Sequence, residues 1–473
     1  MATTFFFVVL SLAAVSSKLT RKVINAEIDR CTTIVTGKRA GSEGPMVTHT
    51  ADCSSCDFRL SKVPAMSWKE KDTRPLYVYR GEYPATVSKK RGATWHPKNL
   101  EGSEAQLKAW GTESEVTGFV PQVRHTYALI ESGYGIMNEH NVAMGESTCA
   151  GRFVSFPTIA GGKAQIEIRE MSRIALERTK TAREAILLMG SLAEEYGFYG
   201  ADWSGGDASL GEAGEALTVA DPEEAWVFHV LADDSGTSAI WVAQRVPDDH
   251  VAVVANMFTI KEVPRIPSDD FLYSANVFDI AEDHELIEAG APLNFASVYG
   301  LPRSHPTYCT RRVWRVQSLV APSLNLSSES DVFGSNYAFS VPVEGGVPLA
   351  PEDLMRIQRD HYEGTPFDLT QGVAAGPFGD PQRFDASGNE NNMTAPELVQ
   401  GAFERAISMF RTSYSIVAQP RGSLHPLIGP RVWFCPYAPH SSSYAPFYVN
   451  QEKIPDPYTH GSLFKYDPTS AFW

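Results

Sequence analysis

Strand-like and helical patterns occur in separate blocks along this chain, and that order is the strongest constraint on what it can fold into. Runs rich in β-branched and aromatic residues, bounded by Gly, Pro, Asn and Asp, are typical of strands. Such runs lie at 32–36, 46–51, 127–130, 134–137, 142–145, 226–230, 239–243, 251–255, 408–419 and 431–437. Separate blocks favour packed layers of antiparallel sheet and helix over a doubly wound sheet, so the sequence predicts an α+β fold.

The helical pattern is concentrated in two neighbouring segments. It covers 168–179 and resumes after Thr181, where Thr181 and Glu184 match a capping box and Gly197 is a plausible stop. Helix is also the alternative to strand or loop for 397–409. Residues 68–117 are predicted to form a long surface segment, and 261–305 a mainly helical and looped region. Residues 372–392 are predicted to form a flexible loop.

Composition limits the function classes. The 473 residues are 43% hydrophobic, which is enough for a large core in one or two domains. The chain carries 41 basic and 56 acidic residues, for a net charge of -15. Phosphate contacts need clustered Lys and Arg, so this balance disfavours nucleic acid as a partner.

The N-terminal segment predicts targeting and processing. Residues 5–15 form an apolar run shorter than the roughly 20 residues of a transmembrane helix, and small residues follow it, so 1–16 is predicted to be a signal peptide. No Lys or Arg precedes the run, which departs from the usual pattern, and a buried first strand is the alternative. The polar stretch 17–30 predicts a removable propeptide ahead of a single domain at 31–473. No stable membrane anchor is expected.

A signal peptide would send the chain into the secretory pathway, to the extracellular space or to a lysosome or vacuole. The glycosylation triplets beginning at Asn325 and Asn392 give weak support, because such triplets also occur by chance.

Cys31 is the candidate nucleophile. If the propeptide is removed at Arg30-Cys31, one residue supplies both a thiol and a free α-amine that can act as its base. The alternative is a small buried apolar residue, the commonest role of a free cysteine. The nucleophile hypothesis predicts a hydrolase.

The other cysteines do not predict a metal site. Cys53 and Cys56 have the spacing of a redox pair or of half a zinc site, but no second half-site follows them. A structural or disulfide role is therefore preferred. If Cys31 is reserved, five cysteines remain, and an odd set cannot all pair within the chain.

The segment after Cys31 predicts a hairpin. The runs 32–36 and 46–51 are separated by a Gly- and Pro-containing turn, and Asp52 follows the second run. Asp52 is therefore expected to return to the neighbourhood of Cys31.

Several separated motifs resemble the dipeptidase and secernin family of N-terminal-nucleophile (Ntn) cysteine hydrolases, peptidase family C69. They are the opening Cys31-Thr32-Thr33, Asp52, the run 134–140 (YGIMNEH), the run 145–148 (GEST) and the run 241–248 (WVAQRVPD). Because they occur in the right order from Cys31 onward, their combination is more specific than any one of them.

The resemblance implies a four-layer αββα sandwich, autocatalytic removal of the leader and hydrolysis of dipeptides without a metal or organic cofactor. Asp52 would lie beside the new α-amine, Asn138 would help to form the oxyanion hole, Asn256 would hold the amine or substrate, and Arg312 would tune the thiolate.

Each implied role has a structural alternative. Asp52 after a strand is by default a turn or cap residue, and Asn138 could be an ordinary turn residue. Arg312 could form a surface salt bridge. Asn256 rests on looser relatives of the family.

Two features depart from the resemblance. His49 stands where bacterial members commonly have Arg, so a permanent cation is replaced by a side chain that titrates near pH 6.5, and activity is expected to depend on pH. The chain also ends at Ala471-Phe472-Trp473, where family members tend to continue, which indicates truncation at the C-terminus.

Two other functions remain open. An amidase of acylated amines would need a wide apolar pocket, which the segment 68–117 could supply or block. A secernin-like trafficking protein would keep the fold without peptidase turnover, although a secretory signal argues against it. The expected partner is a dipeptide or small amide, and the sequence leaves open whether copies of the chain form a homo-oligomer.

Overall fold

The computed structural model describes residues 31–53, 56–78, 85, 87, 114–201, 203, 210–302, 307–382, 404–461 and 466–472. The predicted signal peptide at 1–16 and propeptide at 17–30 lie outside the described residues. So do most of the predicted surface segment at 68–117 and residues 383–403, which include Asn392 and most of the ambiguous stretch 397–409.

The described residues form 21 strands and six α-helices. The strands are β1 Thr33–Thr36, β2 Met46–Ala51, β3 Ser61–Val63, β4 Met66–Ser67, β5 Thr73–Tyr77, β6 Val116–Pro121, β7 His125–Thr126, β8 Leu129–Glu131, β9 Gly135–Asn138, β10 Ala143–Cys149, β11 Gly214–Ala220, β12 Ala225–Ala232, β13 Ala239–Arg245, β14 His250–Val254, β15 Glu262–Val263, β16 Phe271–Tyr273, β17 Leu293–Asn294, β18 Ser340–Pro342, β19 Tyr414–Pro420, β20 Pro430–Pro436 and β21 Ala445–Tyr448. The helices are α1 Ile168–Arg178, α2 Ala182–Tyr196, α3 Asp279–Asp283, α4 Phe295–Tyr299, α5 Thr307–Val320 and α6 Pro351–Gln358.

Two large antiparallel sheets organise the fold. The first has the strand order β18-β14-β1-β2-β19-β20-β21, and the second has the order β16-β13-β12-β11-β10-β9-β8-β3. The predicted hairpin is confirmed: β1 pairs with β2 in the middle of the first sheet, with Val35 opposite Val47. Three two-stranded ribbons pair β15 with β17, β4 with β7, and β5 with β6.

Three apolar clusters hold these elements together. One contains buried residues from both sheets, including Val35 and Val47 from the first and Ala216 and Val227 from the second. A second cluster joins the second sheet to α1 and α2, and a third joins the first sheet to α5 and α6. Strands such as β1 and β2 are buried at every residue, so they appear in the sequence as continuous apolar or Thr-rich runs.

The helix predictions are confirmed for α1 and α2, and the capping prediction is half correct. The Thr181 hydroxyl accepts a hydrogen bond from the backbone N–H of Glu184, as a capping box requires. The Glu184 carboxylate, however, accepts from the backbone N–H of Lys180, not from that of Thr181. Gly197 ends α2 with a positive φ of 70°.

Two late predictions need correction. The strand predicted over 408–419 begins only at Tyr414, because 408–413 form turns in which Thr412 and Ser413 bond to the end of β2 and the segment after it. The alternative helix over 397–409 is absent from its described part, 404–409. Within the described ranges, no helix combines the length and apolar character that crossing a membrane requires.

Candidate active site

Cys31 lies immediately before β1 and is buried, with only 2% of its surface exposed. Its carbonyl oxygen accepts hydrogen bonds from Ser147 Oγ and from Arg312 Nη1, each at 3.2 Å. Ser147 belongs to β10 of the second sheet and Arg312 to α5. Two separate elements therefore converge on the residue that the sequence predicts to be the nucleophile.

Arg312 is a buried connector, not a surface ion-pair partner. Its guanidinium donates to Thr32 Oγ1 at 2.8 Å and to Asn256 Oδ1 at 2.7 Å, in addition to Cys31 O. Burial and the nearby charge of Arg405 lower the pKa of Arg312 from its usual value. The structure thus removes the surface salt-bridge alternative and brings Arg312 together with Cys31 and Asn256.

Asn256 follows β14 in the left-handed backbone region, with φ of 60°. Its backbone N–H donates to Ser147 Oγ at 2.9 Å, and its side-chain amide donates to Thr148 O at 2.8 Å. Asn and Asp tolerate this backbone conformation better than β-branched residues do. Asn256 is therefore held between β10 and Arg312, and it contacts both groups that donate to the Cys31 carbonyl.

Asp52 is fully buried after β2, where three groups bind its carboxylate. Thr50 Oγ1 donates to it at 3.0 Å, Thr412 Oγ1 donates at 2.6 Å, and Arg405 forms a charge-assisted hydrogen bond. The negative charge of Asp52 is one of the causes that raise the pKa of the Cys31 thiol. Asp52 therefore returns close to Cys31, as the hairpin predicts.

His49 on β2 faces Glu146 on β10 across the space between the sheets. His49 Nε2 and Glu146 Oε2 lie 3.4 Å apart, and both side chains are 1% exposed. Gly145 permits this approach, since a Cβ at its position would lie 2.2 Å from the backbone oxygen of Thr48. Cys31, His49 and Glu146 each place a donor atom within 4.8 Å of the other two.

The protonation of this cluster follows from burial and neighbouring charge. Burial, then the charges of Glu146 and Asp52, raises the pKa of the Cys31 thiol well above its usual value. Burial alone would raise the pKa of Glu146, but the adjacent His49 and Glu215 side chains lower it to about 2. Burial and the charge of Glu146 raise the pKa of Glu215, in the opposite direction to that of its neighbour.

Asn138 is not part of this cluster. Its side-chain amide donates to the backbone oxygens of Leu176 and Thr179, at 2.8 and 2.9 Å, at the end of α1. Its side-chain oxygen accepts from the backbone N–H groups of His140 and Val142. The structure places Asn138 where the turn after β9 meets α1 and does not bring its amide to Cys31, in contrast to the oxyanion role that the resemblance implies.

Comparison with known proteins assigns the chain to a family. The model of peptidase family C69 matches residues 30–473, nearly the whole chain. The chain belongs to peptidase family C69. The predicted family is thereby confirmed, and the predicted enzyme class, a hydrolase of peptide bonds, agrees with the family and with the names of the relatives.

The curated relatives in this peptidase family are named as dipeptidases. A probable dipeptidase of Latilactobacillus sakei is 25% identical over 327 residues, which are 68% of this chain and 59% of that protein. Probable dipeptidase A of Streptococcus pyogenes serotype M3 (strain SSI-1) is 22% identical over 434 residues, 90% of this chain and 77% of that protein. A dipeptidase of Bifidobacterium longum (strain NCC 2705) is 25% identical over 264 residues, 49% of this chain and 44% of that protein. The chain thus spans less than two thirds of the first and third of these relatives.

Sequence reasoning missed several residues of the site in this C69 peptidase. Glu146 and Ser147 lie within the GEST motif that carried the resemblance, but no role was assigned to them. Glu215 lies opposite Thr148 in the pairing of β10 with β11 and is therefore a diagonal neighbour of Glu146, which the sequence alone does not reveal. Arg405 lies far along the chain from Asp52, and no local pattern signals their pairing.

Proposed function

We propose that this chain is a cysteine-type dipeptidase that forms an acyl-enzyme on Cys31. The observation that carries the proposal is the placement of Cys31 at the start of a central strand, where Arg312 donates to its carbonyl oxygen and also binds Asn256. Membership of family C69 and the names of its relatives support the substrate class.

The raised pKa of the Cys31 thiol supports the need for a base. A thiol that is protonated in the resting state must lose its proton as it attacks a carbonyl. We propose that autocatalytic cleavage of Arg30-Cys31 supplies this base as the α-amine of Cys31, whose ordinary pKa is about 7.7 to 8.0. The thiolate attacks the peptide carbonyl, the leaving amine takes the proton, and water then hydrolyses the thioester.

The remaining site residues have positioning roles in this proposal. Ser147 and Arg312 hold the Cys31 carbonyl through their hydrogen bonds, and Asn256 in turn binds Ser147 and Arg312. In the same proposal Asp52, which forms an ion pair with Arg405, orients the new ammonium group. We also propose that the two sheets and the helix pairs packed on them form the four-layer αββα sandwich of Ntn hydrolases.

We propose a secretory route for the chain, with 1–16 as the signal peptide and 17–30 as the propeptide. Two features are consistent with it. Cys53 and Cys56 form a disulfide, a bond that persists mainly in oxidising compartments. Asn325, the acceptor of one glycosylation triplet, is exposed. Expression in a secretory host, with analysis of the medium and of glycosylation at Asn325, tests the route.

Replacement of the nucleophile tests the proposed function. Cys31→Ala is expected to lower kcat/KM on a dipeptide panel by at least about 10³-fold, because the substitution removes the thiol that forms the acyl-enzyme. Cys435→Ala is the matched control, since Cys435 is also buried in the first sheet but lies on β20. That variant is expected to stay within a few-fold of wild type.

Mass analysis of the N-terminus tests the α-amine mechanism. Mature wild-type protein is expected to begin at Cys31, and Cys31→Ala is expected to retain the leader. A chain that begins near Ser17 and is fully active would rule out the α-amine as base.

A comparison of substrates separates the dipeptidase from the amidase. Faster turnover of acylated amines than of dipeptides would favour the amidase. If Cys31→Ala retained both activities, the cysteine mechanism would be excluded.

A further inference from the structure

The donor atoms of Cys31, His49 and Glu146 converge on one buried point. All three lie within 4.8 Å of one another, and all three residues are buried. Cys31 precedes β1, His49 belongs to β2 and Glu146 belongs to β10, so two sheets hold the three donors. Donors fixed by packed strands lose little conformational freedom when they bind a common ligand.

The donor set is chemically selective. A cysteine thiolate, an imidazole and a carboxylate are the three side-chain ligand types that Zn²⁺ takes in proteins. Mg²⁺ and Ca²⁺ prefer oxygen-only sites, so the thiolate and imidazole disfavour them. Zinc–ligand bonds of about 2.0 to 2.3 Å place tetrahedral ligand atoms roughly 3.3 to 3.8 Å apart. Only small side-chain movements would close the present cluster around an ion.

Two buried polar atoms without a standard hydrogen bond give a second indication of a ligand. His49 Nε2 and Glu146 Oε2 are both buried and have no hydrogen-bond partner of standard geometry among the described residues. The two atoms face each other at 3.4 Å. A metal ion bound between them would replace this long contact with a direct ligand bond to each atom.

Surrounding groups would orient these ligands. Thr148 Oγ1 donates to the other carboxylate oxygen of Glu146 at 2.8 Å, which leaves Oε2 free to face the cluster. The His49 ring lies in edge contacts with Tyr134 and Tyr414, with centroids 5.0 and 5.8 Å away. Such supporting contacts fix the direction of first-sphere ligands.

We propose that Cys31, His49 and Glu146 bind Zn²⁺, and that the ion reversibly blocks the Cys31 nucleophile. On binding, the thiol releases its proton to solvent and the sulfur forms a bond to zinc, so its electron pair is no longer available for attack. The binding site stands on the three side chains alone, whereas inhibition rests on the proposed function. If Arg30-Cys31 is cleaved, the α-amine adds a fourth donor in a five-membered chelate. The ion is an inhibitor in this proposal and is not required for catalysis.

Calorimetric titration of metal-stripped full-length protein with ZnCl₂ tests the site. Wild type is expected to bind one Zn²⁺ per chain, and Cys31→Ser, His49→Gln and Glu146→Gln are each expected to weaken binding at least tenfold. Cys435→Ala, the buried-cysteine control, is expected to bind as wild type does. Thermal unfolding of every variant identifies those that fail to fold.

Two readouts on wild-type protein do not depend on the stability of variants. Co²⁺ in place of Zn²⁺ is expected to produce a thiolate-to-metal absorption band in the near ultraviolet. Zn²⁺ is also expected to protect Cys31 from iodoacetamide, as mapped by peptide mass. Zinc binding that is unchanged by all three substitutions, or the absence of both the Co²⁺ band and the protection of Cys31, would overturn the proposal.

An activity assay separates this inference from the proposed function. If wild type hydrolyses dipeptides, Zn²⁺ is expected to inhibit it and EDTA to restore it. If zinc binds through Cys31 but the protein has no hydrolase activity, the zinc site is supported and the proposed dipeptidase function is contradicted. If saturating Zn²⁺ leaves dipeptide hydrolysis unchanged, the proposed dipeptidase function is supported and zinc inhibition through Cys31 is contradicted.

Discussion

Asn138 shows how a motif residue can have a structural role. Its amide hydrogens bind the backbone oxygens of Leu176 and Thr179, and its oxygen accepts two backbone N–H groups in the turn after β9. These four bonds use the amide fully, so no N–H remains to stabilise an oxyanion. The side chain instead ties the C-terminal end of α1 to the β9–β10 turn.

Asn138→Ala distinguishes the two roles. The substitution leaves several buried backbone groups without partners, so we expect a loss of about 2 to 4 kcal/mol in the free energy of unfolding, measured by urea denaturation. Activity per folded molecule is expected to fall far less than the roughly 10²-fold loss typical of a missing oxyanion donor. A stable variant with kcat reduced 100-fold would instead restore the oxyanion role.

At the scale of single residues, the cluster around Cys31 is partly predictable from the sequence. The predicted leader indicates Cys31, and the hairpin pattern, which is local in sequence, predicts that Asp52 returns to it. Glu146 was visible as a motif residue, but its proximity to His49 depends on the stacking of two sheets. Sequence patterns specify the register within a hairpin well and the packing between distant strands poorly.

At the scale of elements, α2 packs against β13 through a glycine. A Cβ added at Gly190 would lie 2.3 Å from Cε2 of Trp241, whose indole N–H donates to Glu194 on the same helix at 2.6 Å. The bound indole has little freedom to move aside. The absence of a side chain at Gly190 therefore sets the distance between this helix and the sheet.

Gly190→Ala is expected to lower the free energy of unfolding by about 1 to 3 kcal/mol through overpacking, even though Ala favours helix over Gly by about 1 kcal/mol. Ser191→Ala is the control, because Ser191 is exposed on the next position of α2. Urea denaturation followed by circular dichroism measures both variants. Greater stability of Gly190→Ala would show that the helix can move away without cost.

Element predictions succeeded where one local signal dominated and failed where tertiary contacts decided. The bounds of α1 and α2 follow from amphipathic spacing and a cap, and those of β1 and β2 from apolar runs around a turn. Residues 408–413 carry a strand-like composition, yet they turn because Thr412 and Ser413 bond to Asp52 and Cys53. Those partners lie about 360 residues away in sequence, beyond the range of any local pattern.

At the scale of the whole molecule, the apolar cluster between the sheets also encloses a histidine. His229 on β12 is fully buried, with its ring near those of Phe258 and Phe295. Its Nε2 accepts a hydrogen bond from the backbone N–H of Thr259 at 3.0 Å, which requires the neutral ring. Burial lowers the pKa of His229 to about 3.

Acid should therefore destabilise the whole fold through His229. The unfolded chain binds a proton at this residue below about pH 6.5, whereas the folded chain does so only near pH 3, so stability falls as pH decreases between these values. From pH 7 to pH 5 the contribution amounts to about 2 kcal/mol. His229→Gln is expected to remove this part of the loss, and His250→Gln, whose side chain is 27% exposed, is expected to leave it in place. Urea denaturation at both pH values measures the difference, and an equal loss of stability in wild type and His229→Gln would contradict the assignment.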